Sequence, residues 1–173
     1  MKILVLSDTH GRKNRILDVL DIHPRYDALL FLGDGLRDLD TLDEPVLGLA
    51  AVRGNCDGLS FLGLGGGVPT ERTLCLDGFK IFMTHGHAYS VKSGRERLLA
   101  HAAALDADIV LYGHTHVAEE KYYPEGSEIG GLTLKKGIYL FNPGSLGEPR
   151  GAAPTYGLIQ IKNGSVLFSH GNV

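Results

Sequence analysis

Long apolar runs are missing from this 173-residue chain. No segment approaches the roughly 18 uninterrupted apolar residues of a membrane-spanning helix, so no span is expected. Cysteine is scarce as well. Cys56 and Cys75 are the two in the sequence, too few for a disulfide framework, and both are expected as free thiols in a reduced compartment. The opening "MKILVLSDTH" has too short an apolar run for a secretory leader, and a cytoplasmic setting is expected. Nor is charge of one sign in excess: 17 Lys and Arg stand against 20 Asp and Glu. Without a long single-sign run, there is no strong nucleic-acid signal and no anionic-membrane patch. Repeats, linkers and composition breaks are absent too. A chain of this length buries roughly 70% of its unfolded surface, so residues 1–173 are expected to form a single domain.

What the chain does have is glycine and histidine, 24 and eight respectively. Many of the glycines adjoin His, Asp or Asn, as in loops whose backbone passes close to something bound. Six short, almost wholly apolar runs read as strands buried on both faces: "KILVL" (2–6), "ALLFL" (28–32), "VLGLAAV" (46–52), "KIFMT" (80–84), "DIVLY" (108–112) and "GIYLF" (137–141). Segments 12–23 and 92–106 space their apolar residues as amphipathic helices. Strands alternating with helices imply an α/β fold. Residues 155–170 alternate on both sides of Asn163-Gly164, an antiparallel hairpin, and 119–140 also reads as hairpin, so a second packed sheet is expected.

Each apolar strand ends in a polar cluster. In order these are Ser7-Asp8-Thr9-His10-Gly11, Gly33-Asp34-Gly35, Gly54-Asn55-Cys56-Asp57, His85-Gly86-His87, Gly113-His114-Thr115-His116 and Asn142-Pro143-Gly144-Ser145. Ligands of α/β sheets bind beyond the carboxyl ends of strands, so these tips are expected to converge on one rim. Carboxylates, a carboxamide and imidazoles without an obligatory thiolate form an N/O donor set suited to Mn, Fe, Co or Zn. In extended chain, residues two apart point to the same side about 6.5 to 7 Å apart. Asp8/His10 and His114/His116 could then flank one ion or straddle two.

"SDTHG", "LGDG", "RGNCDG", "THGH", "YGHTH" and "NPGS", running essentially end to end, resemble the calcineurin-like metallophosphoesterase superfamily and within it the small YfcE-like phosphodiesterases. The resemblance implies a four-layer αββα sandwich of two packed mixed β-sheets flanked by helices. It puts Asp8, His10 and His116 on one metal and Asn55, His85 and His114 on another, with Asp34 bridging. It further implies two divalent ions, Mn first with Fe, Zn, Co and Ni as alternatives, and a bridging hydroxide that attacks a small phosphodiester. Homodimers or homotetramers are implied in the same way. Two divalent ions offset by Asp8, Asp34 and the hydroxide leave about one positive charge, suited to an anionic diester. Two alternatives are a phosphomonoesterase or nucleotidase with the same metals, and a non-catalytic scaffold of the same fold.

One position departs from the wider superfamily. Where many members carry a histidine after Gly-Asn to protonate or stabilise the departing oxygen, this chain has Cys56, a poor replacement. His87 is the nearest spare imidazole and the candidate catalytic acid, with a supporting structural role as the competing reading. Arg12 and Arg53 adjoin motifs and are candidates to touch a phosphate. His23, His101 and His170 stand outside the clusters and read as structural. "LGLGGGVP" (62–69) matches no phosphate-loop pattern and reads as a surface loop near the site.

Overall fold

The computed structural model describes residues 1–40, 42, 46–58 and 67–173. Only the last three residues of the 62–69 loop therefore fall within the described chain, and its expected placement lies outside it.

Two five-stranded mixed sheets form the centre of the molecule. In the first, β1 (Lys2–Leu6), β2 (Ala28–Phe31) and β3 (Leu49–Ala51) run parallel. The expected hairpin, β11 (Thr155–Lys162) and β12 (Ser165–Asn172), adds antiparallel to β1. In the second, β5 (Phe79–Thr84), β6 (Ile109–Leu111) and β10 (Ile138–Pro143) are parallel, edged by antiparallel β4 (Glu71–Leu76) and β7 (Ala118–Tyr123). The chain between β7 and β10 makes a small two-stranded ladder of β8 (Glu128–Ile129) and β9 (Leu132–Thr133).

The two-residue period of a strand sorts side chains into layers. Ile3 and Val5 of β1 point between the sheets, where they share a core with Ile81, Met83, Ile109, Leu111 and Phe141 of the second sheet. Leu4 and Leu6 point outward, against Ile16 and Val19 of α1 (Lys13–Ile22) and Leu36 of α2 (Leu36–Asp40). On the far side, Phe82, Val110 and Leu140 meet Leu98, Leu99 and Ala102 of α3 (Glu96–Ala104). Each of these side chains contributes about 1.5 to 3 kcal/mol through burial if it is as large as valine or leucine. The order helix, sheet, sheet, helix is the expected αββα sandwich.

Two expectations on boundaries are corrected. The strand read over 46–52 pairs only at Leu49–Ala51, because Gly48 turns the chain at φ 57°. The helix read over 92–106 begins at Glu96, after a turn in which Ser93 N donates to Ser90 O. No helix among the described residues is long and apolar enough to cross a membrane.

Candidate metal centre

Because β1, β2 and β3 are parallel in one sheet and β5, β6 and β10 in the other, their carboxyl ends deliver six loops to one rim. The loops are tied across the sheets. Gly147 N donates to Asp8 O, His114 N to Asp8 Oδ2 at 3.1 Å, and the His85 Nδ1 ring nitrogen meets Leu32 O at 2.8 Å.

Six of the seven expected metal ligands come together there. The Asp8 side chain is fully buried; its Oδ2 accepts from Ser7 Oγ at 2.5 Å and from His114 N. Its Oδ1 is buried without a hydrogen-bond partner among the described residues. That oxygen faces His116 Nε2 at 3.1 Å and the Nε2 atoms of His10 and His85 at 3.9 Å each. Asp34 is arranged alike: Oδ1 accepts from Cys56 N at 2.7 Å, and Oδ2 faces His85 Nε2 at 3.2 Å and His10 Nε2 at 3.9 Å. Backbone carbonyls orient two of the rings, His85 Nδ1 on Leu32 O and His116 Nδ1 on Glu148 O at 2.7 Å. An Nδ1–H donated to a carbonyl leaves the Nε2 lone pair aimed inward, the usual posture of a ligating histidine. Ring nitrogens also converge in pairs, His10 Nε2 on His116 Nε2 at 3.4 Å and His114 Nδ1 on His85 Nε2 at 3.2 Å.

Asp8, His10 and His116 form one group able to hold a cation, and Asp34, His85 and His114 a second. A third, of His10, Asp34 and Cys56, overlaps both, and donor atoms within each group lie within 4.8 Å of one another. Asn55 is the ligand candidate that the structure does not tie in: it is exposed, with Nδ2 on Cys56 Sγ at 3.2 Å. His87 packs beside the cluster, its ring 5.5 Å from that of His85 and 6.2 Å from that of His114, and its Nδ1 is buried without a partner among the described residues.

The extended geometry expected for Asp8/His10 and His114/His116 is wrong. Asp8 (φ 56°), His10 (φ 44°), His114 (φ 66°) and His116 (φ 60°) all lie in the left-handed region, as does Asp34 (φ 56°). The alternate-residue rule holds only while the strand lasts, and every one of these residues lies beyond its strand's end. Such conformations cost roughly 1 to 3 kcal/mol each and gather where surrounding contacts over-determine the backbone.

Those contacts are what sequence reasoning missed. The Asp57 carboxylate accepts four backbone N–H groups: Asp34 N (2.7 Å) and Gly54 N (2.9 Å) on Oδ2, Gly35 N (2.9 Å) and Leu36 N (3.0 Å) on Oδ1. Asp38 Oδ2 takes Thr9 Oγ1 at 2.5 Å and Gly11 N at 2.9 Å. Asn142, fully buried, donates to Gly113 O and Thr115 Oγ1 at 3.1 Å each, and Ser145 Oγ donates to Asp8 O at 2.8 Å. "NPGS" thus forms a turn that supports the rim. Gly54 is required by closeness: a Cβ there would sit 2.1 Å from Asp34 Oδ1. His23 and His170 are structural, bonded to Tyr156 Oη and Asn142 O.

Electrostatics separates the histidines. Burial opposes charge on His85, but the Asp34 and Asp8 carboxylates outweigh it and raise its pKa. His116 is raised as well, by Asp8 first. Burial and then the charge of His85 push His114 down to about 4, and the same two causes lower His87. Burial would raise the Asp34 carboxyl, yet His85 and the Cys56 N–H hold it well below the usual carboxylate range. Burial and the Asp34 charge push the Cys56 thiol up to about 11. The two carboxylates thus favour positive charge within the cluster, which bound cations could supply.

A family model described as the calcineurin-like phosphoesterase superfamily domain matches residues 1–164. The phosphodiesterase YfcE of Escherichia coli strain K12 is 31% identical over 180 aligned positions, spanning 92% of this chain and 87% of YfcE. A conserved protein of Streptococcus pneumoniae described as a predicted phosphoesterase superposes with a TM-score of 0.74 at 28% identity, over 99% of this chain and 88% of that one. Vps29 of Entamoeba histolytica, in a complex with zinc, superposes with a TM-score of 0.66 at 26% identity and covers 99% of each chain.

Proposed function

Because this chain belongs to the calcineurin-like phosphoesterase superfamily, we propose that it is a metal-dependent phosphodiesterase working on small phosphodiesters through a pair of divalent cations. The observation that carries the reading is Asp8 Oδ1, a buried carboxylate oxygen without a hydrogen-bond partner among the described residues, facing three imidazole nitrogens. An anionic oxygen so placed is costly unless a cation occupies the space before it. Asp8, His10 and His116 would hold one cation; His85, His114 and Asn55 the other; Asp34 would be shared. Asn55 would join by turning its side-chain oxygen inward from its bond to Cys56 Sγ. Bound divalent ions would supply Lewis-acid charge and an acidified water, with Mn as the first expectation.

The chain's own residues do the rest. Leu32 O and Glu148 O fix the rings of His85 and His116, so the donor atoms are placed before anything binds. Asp57 and Asp38 lock the loops that carry Asp34, Asp8 and His10. His87, beside the His85/His114 half and low in pKa, would stand near the departing oxygen. It would orient a water there more readily than donate a proton itself, and Cys56 at about 11 holds its proton too firmly to serve. Two exposed free thiols, Cys56 and Cys75, support a reducing, cytoplasmic setting.

The test is a parallel assay of bis- and mono-p-nitrophenyl phosphate after metal removal and restoration with Mn²⁺, Zn²⁺ or Fe²⁺. Diester turnover that depends on metal, and that Asp34→Asn and His114→Ala abolish, is expected. Turnover left intact by both substitutions would refute the site, and faster monoester hydrolysis would favour a monoesterase. The Vps29 likeness over the whole chain supports a second reading, a scaffold of this fold. Titration with no bindable metal would favour it.

A further inference from the structure

On the His116 side of the cluster lies an open cavity of about 370 Å³ whose wall includes His116, Val117, Ala118, Ala152, Ala153 and Thr155. It is not an incidental dent beside the site. The imidazole of His116 is a wall common to both, since its Nε2 faces Asp8 Oδ1 while the ring borders the cavity. The segment forming the opposite wall is fastened to the same residue from two directions: Glu148 O meets His116 Nδ1 at 2.7 Å, and Arg150 N donates to His116 O at 3.0 Å. Any shift of the cavity relative to the cluster would therefore break these bonds. Its surface is chiefly apolar, and Val117, one of its lining residues, is 48% exposed.

We propose that this cavity seats the ester group that stays on phosphorus, and that the preferred substrates are diesters whose retained group is an uncharged alkyl or aryl. The inference rests on the phosphodiesterase reading above and specifies its substrate class. Three observations lead to it. Among the described residues, the cavity wall carries no carboxylate, ammonium or guanidinium, so a further phosphate would find no counter-charge, whereas apolar surface would leave water favourably. The volume suffices, since a cavity of about 150 Å³ already holds benzene. Finally, both nitrogens of His116, the one acid-base group of the wall, are committed, Nδ1 to Glu148 O and Nε2, which faces Asp8 Oδ1, to the cation the two would hold. A departing oxygen placed here would meet no free proton donor, but the oxygen of a retained ester needs none. Hydrolysis then forms one P–O bond from water and breaks the bond to the leaving group on the opposite side, with the retained ester unchanged.

Methyl, butyl and phenyl p-nitrophenyl phosphates share one leaving group and differ only in the retained one. With the Mn²⁺-loaded full chain, kcat/KM is expected to rise about tenfold from methyl to phenyl, the lower end of what one added apolar group brings in a pocket. Ala153→Phe should flatten the series by filling the cavity. Gly151 also lines the cavity, and Gly151→Leu should do the same without a clash, because a Cβ there meets nothing within 4 Å among the described residues. Calorimetric titration with the monomethyl esters of phenylphosphonate and methylphosphonate reads the subsite without turnover, and about tenfold tighter binding of the phenyl compound is expected in the unsubstituted chain alone. A flat series in the unsubstituted chain, or a gradient that survives both substitutions, overturns the subsite while leaving the phosphodiesterase reading intact. Failure to hydrolyse any of the esters with any metal overturns that reading and the subsite with it.

Discussion

Asp57 binds no candidate metal position, yet the structure makes it a main support of the site. Each oxygen of its carboxylate accepts two backbone N–H groups at 2.7 to 3.0 Å, three from the Asp34 loop and one from Gly54. Hydrogen bonds to a charged group contribute about 1.5 to 3 kcal/mol each. In Asp57→Asn one oxygen becomes an amide nitrogen that points donors at donors, so two bonds are lost and the expected cost is about 3 to 6 kcal/mol. Asp57→Ala loses all four, but water can enter the vacated, half-buried space, so its cost should lie within about 1 kcal/mol of the Asn value. Against a typical total stability of about 5 to 15 kcal/mol, either loss is large. Equilibrium urea denaturation of the chelator-treated protein measures it free of any metal contribution. Far-UV circular dichroism is the suitable signal because the chain has no tryptophan. An Asn variant within about 1 kcal/mol of the unsubstituted protein would refute the four-donor account, because the near-isosteric change would then have cost less than a single charged hydrogen bond.

Three further outcomes follow from the site. At His10 (φ 44°) a side chain other than glycine is strained, so metal-free His10→Gly should exceed His10→Ala in stability by about 1 kcal/mol by urea denaturation; equal stabilities would refute the strain. His85 and His116 have raised pKa values in the metal-free protein, so their stabilisation is complete below about 6.5 and fades as pH rises through the raised values. Metal must expel those protons, and calorimetry at pH 7 in buffers of different ionisation enthalpy should register net proton release, weakening affinity as pH falls; no release would contradict the assignment. With its thiol near 11, Cys56 is about 0.1% thiolate at pH 8, so it should alkylate far more slowly than free cysteine by mass spectrometry; a rate above that of free cysteine would refute the Asp34 influence.

The fold and the rim were legible in the sequence because strands buried on both faces leave continuous apolar runs, and each run here stops at a polar cluster. The hairpin at Asn163-Gly164 was legible from its turn chemistry. Strand β4 was missed: its residues alternate between exposed and half-buried at a sheet edge, and the mixed polar run "ERTLCL" lacks the apolar density of the others. Helix α2 spans five residues, too few to show a period. At the site, residue types and their gathering were readable, but backbone conformation was not. Nothing in Asp8, His10 or His116 signals the left-handed region, since glycine usually marks it. The supporting carboxylates were hidden for a related reason: Asp38 is 29 residues from Thr9, and Asp57 is 23 from Asp34. Such pairings exist only after the sheets have formed.

The donor atoms come from opposite halves of the sandwich: Asp8, His10 and Asp34 from the first sheet, His85, His114 and His116 from the second. A cation bound among them would be a crosslink between two layers that otherwise adhere through apolar packing and a few hydrogen bonds between rim loops, closing loops of up to 108 residues between Asp8 and His116. At a free concentration 100 times its dissociation constant, one such ion would add about 2.7 kcal/mol to the folded state. The rim proposed for chemistry would then also be a clasp, and chelation would be felt first as a loosening of one sheet from the other.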